Sequence, residues 1–365
     1  MIANCVVHGF DVVEVTNELP LNRLGGVGSA IESLISGFRT LGVRALWYLV
    51  DHHYRPEEVE RILRECEHVA VGSLDELAGI GAPVAHVHTY YHDTDALHRG
   101  LRGRRAVFTV HSLLRCEAES NSIVLDDAVR RQEQTFAACD EVVLISNAEL
   151  GHYRRFGYTA LNPRVRIVHN GLPRPLPPPS APHPARREAT CRIGFCGRLV
   201  PRKRPEYVQW LLREPDFDDC RTYIAGRGFG AYARDLMADE RLAARVRWLG
   251  WCGPERLAAF YEAIDVLAVT STYEPFGMVA LEAMARRVPV VCTRVDGLAE
   301  VLGDNAVYAE DTSYESFRDA MRRWRAMPPA AVQAMTERAH ARYEARFTDV
   351  AAARAYRELF RALAS

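Results

Sequence analysis

The stretch that decides the fold reads Thr270-Ser271-Thr272-Tyr273-Glu274-Pro275-Phe276-Gly277-Met278-Val279-Ala280-Leu281-Glu282-Ala283-Met284-Ala285. Just upstream, Ile264-Asp265-Val266-Leu267-Ala268-Val269 is a short, β-branched apolar run without polar alternation, the pattern of a buried parallel strand. Downstream, Met278, Leu281, Met284 and Ala285 recur at helical spacing, which predicts a helix starting near Gly277. A strand, a glycine-containing turn and a helix N-terminus together present free backbone N–H groups to an anion. Two carboxylates flank that turn, Glu274 in the loop and Glu282 on the helix. A glutamate pair at this spacing is common on any acidic helix, and the Pro-Phe-Gly between the two is what marks a site.

The same strand–turn–helix unit recurs outward in both directions. A strand at 11–15 leads through Thr16 to a turn, Arg23-Leu24-Gly25-Gly26-Val27-Gly28. A helix follows, with Ile31, Leu34, Ile35, Phe38 and Leu41 on one face and Gly42 as its C-cap. Strands are predicted at 43–50, 68–71, 84–89, 106–111, 141–146 and 165–168, with helical segments near 57–66, 94–102, 123–138 and 147–156. Residues 173–187 are too rich in proline for helix or central strand and read as a semi-rigid linker over 173–189, or as a proline motif for a partner. The pattern then restarts with a strand at 191–196, the loop Gly197–Pro205 and a helix at 206–213. Strands at 222–225 and 246–249 end in Gly226-Arg227-Gly228 and Gly250-Trp251-Cys252-Gly253. A helix at 255–263, a strand at 288–292 and one further helical turn after Asp296-Gly297 complete the series, and the last segment, 347–365, is amphipathic. This alternation predicts an α/β fold of two Rossmann-like, doubly wound domains, 1–172 and 190–346.

Length and a hydrophobic content of 48% suit two cores in 365 residues. The longest apolar run, Ala45–Val50, is far too short to span a membrane, and the first residues lack the pattern of a secretory signal. Nine cysteines without a C-x-x-C pair point to reduced thiols, hence a cytoplasmic protein without stable membrane association. A net charge of −1 argues against a general nucleic-acid binder. Residues 1–172 hold 17 arginines against 22 acidic side chains, a balance of −5, which leaves +4 on the remainder. Among 46 basic residues Lys203 is the single lysine, and it falls in the loop where a compact ammonium suits a phosphate best.

On these residues the chain resembles the retaining glycosyltransferases of family 4. Their donor loop carries E-x7-E, the spacing of Glu274 and Glu282, and their phosphate loop reads G-R-L-x-x-x-K, matched by Gly197-Arg198-Leu199 and Lys203. The turn ending at Gly28 resembles that of glycogen and starch synthases, with Arg23 where those enzymes have lysine. Thr109-Val110-His111-Ser112 is similar to the family's T-[VI]-H-[NS] strand end. The resemblance implies a GT-B fold: two Rossmann-like domains facing a central cleft, the acceptor on the first, the nucleotide sugar on the second, and the last helix returning to the first. It also implies hexose or N-acetylhexosamine transfer from a nucleotide diphosphate sugar, UDP favoured over GDP, ADP and dTDP. Retention by same-face attack, with the leaving phosphate helping to deprotonate the acceptor, follows from the same resemblance, as does independence from metals and cofactors.

A departing diphosphate gains negative charge in the transition state, and fixed cations can receive it. Arg198 and Lys203 are assigned to that charge. Glu282 suits the two ribose hydroxyls. Glu274 either binds a sugar hydroxyl or stabilises positive charge at the anomeric carbon. Backbone N–H groups of Phe276, Gly277, Met278 and Val279 face sugar or phosphate. Gly25, Gly26 and Gly28 allow close backbone approach to the diphosphate, with Arg23 adding charge, and Gly226, Trp251 and Cys252 are further donor contacts. His111 is expected beside the donor sugar, and His88, Tyr90, Tyr91 and Asp93 line the acceptor pocket. His86-x-His88 invites a metal, but no third and fourth ligand is evident in sequence, and none is assigned.

The partners expected are a small-molecule donor and acceptor, the acceptor a soluble cationic aminocyclitol or aminoglycoside precursor, with a homodimer left open. A glucan synthase, a sugar-nucleotide epimerase or hydrolase, and a non-catalytic sensor are the alternatives.

Overall fold

The computed structural model describes residues 9–20, 26–52, 54–173, 190–228, 230–238 and 242–365. They fall into two units, one drawn from 1–118, 123–173 and 348–365, the other from 119–122 and 174–347. Arg23 and Gly25 lie outside the described residues, as does the proline-rich linker beyond Pro173.

Among the described residues the first unit holds seven strands: β1 (Val12–Thr16), β2 (Ala45–Leu49), β3 (Val69–Val71), β4 (Val84–Val87), β5 (Arg105–Val110), β6 (Glu141–Leu144) and β7 (Val165–Ile167). They pair in parallel in the order β3-β2-β1-β4-β5-β6-β7. The strand order reverses between β1 and β4, and in such sheets ligands bind outside the strand C-termini at that point. The helices between are α1 (Gly26–Leu41), α2 (Pro56–Glu65), α3 (Thr94–Gly100), α4 (Leu114–Asn121), α5 (Asp126–Ala138) and α6 (Asn147–Arg155). The helix predicted over 123–138 starts at Asp126, and α4 before it was not predicted, because Cys116 is its only buried side chain and it carries almost no apolar face.

The second unit repeats the plan with β8 (Cys191–Cys196), β9 (Cys220–Ala225), β10 (Val246–Gly250), β11 (Val266–Val269), β12 (Val290–Thr293) and β13 (Val307–Ala309). These are parallel throughout, in the order β10-β9-β8-β11-β12-β13. Its helices are α7 (Glu206–Leu211), α8 (Gly230–Met237), α9 (Pro254–Ala263), α10 (Met278–Ala285), α11 (Asp296–Leu302), α12 (Tyr314–Ala326) and α13 (Pro329–Arg346). β13, α12 and α13 were not read from the sequence, and the single turn expected after Asp296 is the longer α11. Strand β11 begins two residues later than predicted: the Asp265 N–H still donates to the Arg192 carbonyl at 2.8 Å, but the Arg192 N–H is taken by the Asp265 side-chain carboxylate at 2.7 Å and not by a backbone carbonyl.

The final helix, α14 (Asp349–Ala364), belongs to the first unit and packs along α1. Gly37 permits the approach, since a Cβ there would stand 2.4 Å from the Asp349 carbonyl oxygen and 2.6 Å from Ala353 Cβ. Ser36 Oγ donates to Asp349 Oδ2 at 2.6 Å, and Ala353, Tyr356 and Phe360 enter the same core as Ile31, Phe38 and Trp47. No helix among the described residues is long and apolar enough to cross a membrane.

Candidate active site

Two clusters of polar side chains stand out, one in each unit. In the second, β8 ends in a loop that passes through a short 3₁₀ turn, Pro201–Lys203. This loop is laced to the one after β11: Thr270 Oγ1 donates to the Lys203 carbonyl at 2.6 Å, and the Thr272 N–H donates to the Arg202 carbonyl at 2.8 Å. The lacing sets Lys203 Nζ on Glu274 Oε2, with side-chain exposures of only 12% and 10%. Ser271 Oγ adds a bond to the same carboxylate oxygen at 3.2 Å. Burial would raise the Glu274 carboxyl, but Lys203 and Arg202 outweigh it and hold the pKa below the usual glutamate value. Arg202, buried and donating to the Tyr273 carbonyl at 2.9 Å, was missed by sequence reasoning, which could not tell it from its basic neighbours. Arg198, on the same loop, is exposed.

The Glu274 backbone is clamped by Asp296 and Gly297, also missed. The Asp296 carboxylate accepts the Glu274 N–H at 3.2 Å, and the Gly297 N–H donates to the Glu274 carbonyl at 3.1 Å. Gly297 must be glycine for this contact, because a Cβ would sit 2.2 Å from the Pro275 carbonyl oxygen. Gly277 caps α10 in the left-handed region, φ 99°, and its carbonyl accepts the N–H groups of Ala280 and Leu281, so those of Met278 and Val279 come ahead of the helical ladder. Phe276 and Met278 bury their side chains in the core, so only their backbone is available to a ligand. Glu282, assigned to ribose, is partly buried, and its Oε2 accepts the Tyr261 hydroxyl at 2.7 Å.

The loops after β8, β9 and β10 are stitched together. Gly197 N–H donates to the Ala225 carbonyl at 2.9 Å, and Gly226 N–H to the Gly250 carbonyl at 2.8 Å. Gly226 passes so close to Gly197 that a Cβ would lie 1.8 Å from its carbonyl oxygen. Trp251 is exposed with the Arg227 guanidinium 5.9 Å from its ring centroid, and Cys252 is half-buried beside it.

In the first unit, β1 is buried at every residue, including Glu14. Glu14 faces His86 across the β1–β4 register, and His88 lies two residues on. Its Oε2 stands 2.6 Å from His88 Nε2 and 2.7 Å from His86 Nδ1, with all three side chains fully buried. His88 Nδ1 meets His111 Nε2 at 3.2 Å, while His86 Nε2 meets Thr109 Oγ1 at 2.7 Å, and that hydroxyl meets Tyr356 of α14 at 2.8 Å. Burial would raise Glu14, but the two histidines bring its pKa down to about 2. Burial and the neighbouring His86 bring His88 down to about 4, and burial holds His111 well below the ordinary histidine value. At neutral pH the carboxylate is ionised and both of these rings are neutral.

Three atoms of metal-ligand type thus converge at Glu14, His86 and His88. Bonds of about 2.0–2.1 Å to a tetrahedral ion would hold such atoms roughly 3.3 Å apart, so separations of 2.6 and 2.7 Å are too short for shared ligands of one ion; the His88 contact is a hydrogen bond, whereas His86 Nδ1 is in ionic contact without hydrogen-bond geometry.

The acceptor residues scatter. His88 has both ring nitrogens engaged inside the unit and supports His111 instead of lining a pocket. Tyr91 is buried, Tyr90 half-buried, and Asp93 caps α3 by accepting the Ala96 N–H at 2.8 Å. Gly26 and Gly28 form the first turn of α1.

Residues 183–342 match the family model "Glycosyl transferases group 1". Among curated proteins, the chain is 33% identical over 193 residues to a D-inositol 3-phosphate glycosyltransferase of Mycobacteroides abscessus, covering 50% of this chain and 40% of that one. It is 38% identical over 141 residues to the enzyme of the same name from Corynebacterium diphtheriae, covering 35% and 33%. The chain thus spans about a third to two-fifths of the length of these relatives. Among solved structures, Anabaena HepE in complex with UDP and glucose superposes with a TM-score of 0.75 at 16% identity, covering 97% of this chain and 100% of that one. Sucrose-phosphate synthase from Thermosynechococcus elongatus gives 0.75 at 20% identity over the same shares. The protein has the GT-B fold of two Rossmann-like units, and its second unit matches the group 1 glycosyl transferases.

Proposed function

We propose that the protein is a retaining, metal-independent glycosyltransferase that moves a hexose or N-acetylhexosamine from a UDP-sugar to a hydroxyl of a small cyclitol. The observation that carries this is the Lys203–Glu274 pair, held nearly out of water on loops at the strand C-termini of the unit that matches group 1, with Arg198 on the same loop as Lys203. An ammonium has three donors, so Lys203 can keep Glu274 and still meet a phosphate oxygen. Arg198 supplies a second cation for the charge that develops as the diphosphate leaves, the work a metal does elsewhere. Glu274, kept ionised by Lys203 and Arg202, then binds a sugar hydroxyl or favours positive charge at the anomeric carbon. With Glu282 fixed by Tyr261, its carboxylate is oriented before the ribose arrives.

The UDP preference is supported by the UDP and glucose bound to HepE, and a cyclitol acceptor by the names of the relatives. The acidic balance of residues 1–172 favours an aminocyclitol over a cyclitol phosphate.

A thermal-shift panel of nucleoside diphosphates tests the donor: the matching one at 100 times its Kd stabilises by about 2.7 kcal/mol. Mass spectrometry of reactions offered an aminocyclitol, inositol phosphate or a neutral glucan then tests the acceptor. Turnover of the aminocyclitol, unaffected by a chelator and retained in anomeric configuration, is expected. Full-rate nucleotide release without acceptor would point to a hydrolase or epimerase.

A further inference from the structure

The strongest feature outside the diphosphate loop is the buried carboxylate of Glu14. An ionised carboxylate is only an acceptor, so His88 Nε2, 2.6 Å away, must carry the proton of that neutral ring. His88 Nδ1 is then bare and accepts, which requires the proton of His111 on Nε2, 3.2 Å away. His111, also neutral, is left with a bare Nδ1. That atom is buried and has no partner among the described residues. A buried lone pair without a donor is costly, and a ligand hydroxyl or ammonium would relieve it, whereas an anion would not.

We infer that Glu14 is a positioning residue that acts through His88 to hold His111 as an obligate hydrogen-bond acceptor at Nδ1, specific for a hydroxyl donor on the acceptor substrate. His111 therefore contributes by orienting a neutral group and supplies neither a proton nor positive charge to a phosphate. Nothing in the sequence marks Glu14, since a glutamate within Val12–Thr16 reads as the polar position of a strand. The tautomer assignment rests on the hydrogen-bond geometry together with the neutrality of both buried rings, and only its consequence for turnover rests on the glycosyltransferase assignment.

The test is a ¹H–¹⁵N spectrum of the full chain labelled with ¹⁵N-histidine at neutral pH, with His111→Gln to assign the resonance. The wild-type protein is expected to show His111 protonated on Nε2 and pyridine-like at Nδ1. Glu14→Gln can donate its amide N–H to His88, which lets the chain reverse, so a population with the proton on His111 Nδ1 should appear. In the same variant kcat falls by roughly tenfold or more while KM for the nucleotide sugar changes little, as expected when a histidine is held in the wrong tautomer. A wild-type His111 protonated on Nδ1 or on both nitrogens overturns the proposal, and so does a folded Glu14→Gln with an unchanged tautomer. The wild-type spectrum decides even if the variant fails to fold. If the wild type turns over no sugar nucleotide, the enzyme assignment fails while the tautomer result is unaffected.

Discussion

Lys203 and Glu274 lie 71 residues apart, yet each determines what the other can do. Removing one partner of a buried ion pair strands the other, so Lys203→Ala should lose on the order of 3 kcal/mol in urea denaturation as well as the nucleoside diphosphate shift. Replacing both, Lys203→Met with Glu274→Leu, should recover most of that stability and none of the turnover. That split separates a functional pair from a structural one. The histidine cluster makes a second prediction at this scale. His88 holds a value near 4 in the folded chain against an ordinary 6.5, so on acidification the unfolded chain takes that proton first. Stability should therefore be insensitive to this group above pH 6.5 and fall by on the order of 3 kcal/mol between 6.5 and 4. The Glu14 contribution runs lower: it is complete above about 4.5 and lost as pH falls through about 2. Urea midpoints for wild type and His88→Gln across pH 4–7 check this, and equal slopes would contradict it. Sequence alone found Lys203, because a solitary lysine is conspicuous. It could not find Glu14 or Arg202, whose importance comes from burial among partners far along the chain.

At the scale of elements, the loops after β8, β9 and β10 form one surface only because Gly226 can lie against Gly197. Gly226→Ala places a methyl group 1.8 Å from a carbonyl oxygen at φ 152°, and the loops must part. The expected result is a loss on the order of 3 kcal/mol and a weakened diphosphate shift, both read in one thermal titration. The βα alternation was legible because parallel strands are continuous apolar runs and their helices carry clear faces. The elements that escaped are those without such a signal. Helix α4 has a single buried side chain, and β13 is only three residues long, two of them half-buried.

For the whole molecule, the chain returns to its first unit through α14. Gly37→Leu cannot be accommodated between α1 and α14, so the terminal helix should loosen. Limited proteolysis is expected to remove the last residues of this variant faster than in the wild type, with the first unit's unfolding midpoint lowered. The nucleoside diphosphate shift, which the proposed function assigns to the second unit, should persist.

By itself the sequence determined two α/β units, the loop bearing Arg198 and Lys203, and the spacing of Glu274 and Glu282, because periodicity and turn chemistry are local properties. Tertiary structure decided which side chains meet. The order of strands brings β1, β4 and β5 side by side, and with them Glu14, His88 and His111, which are separated by up to 97 positions in the chain. Strand order is set by how buried faces pack against helices, a long-range choice that no window of sequence contains.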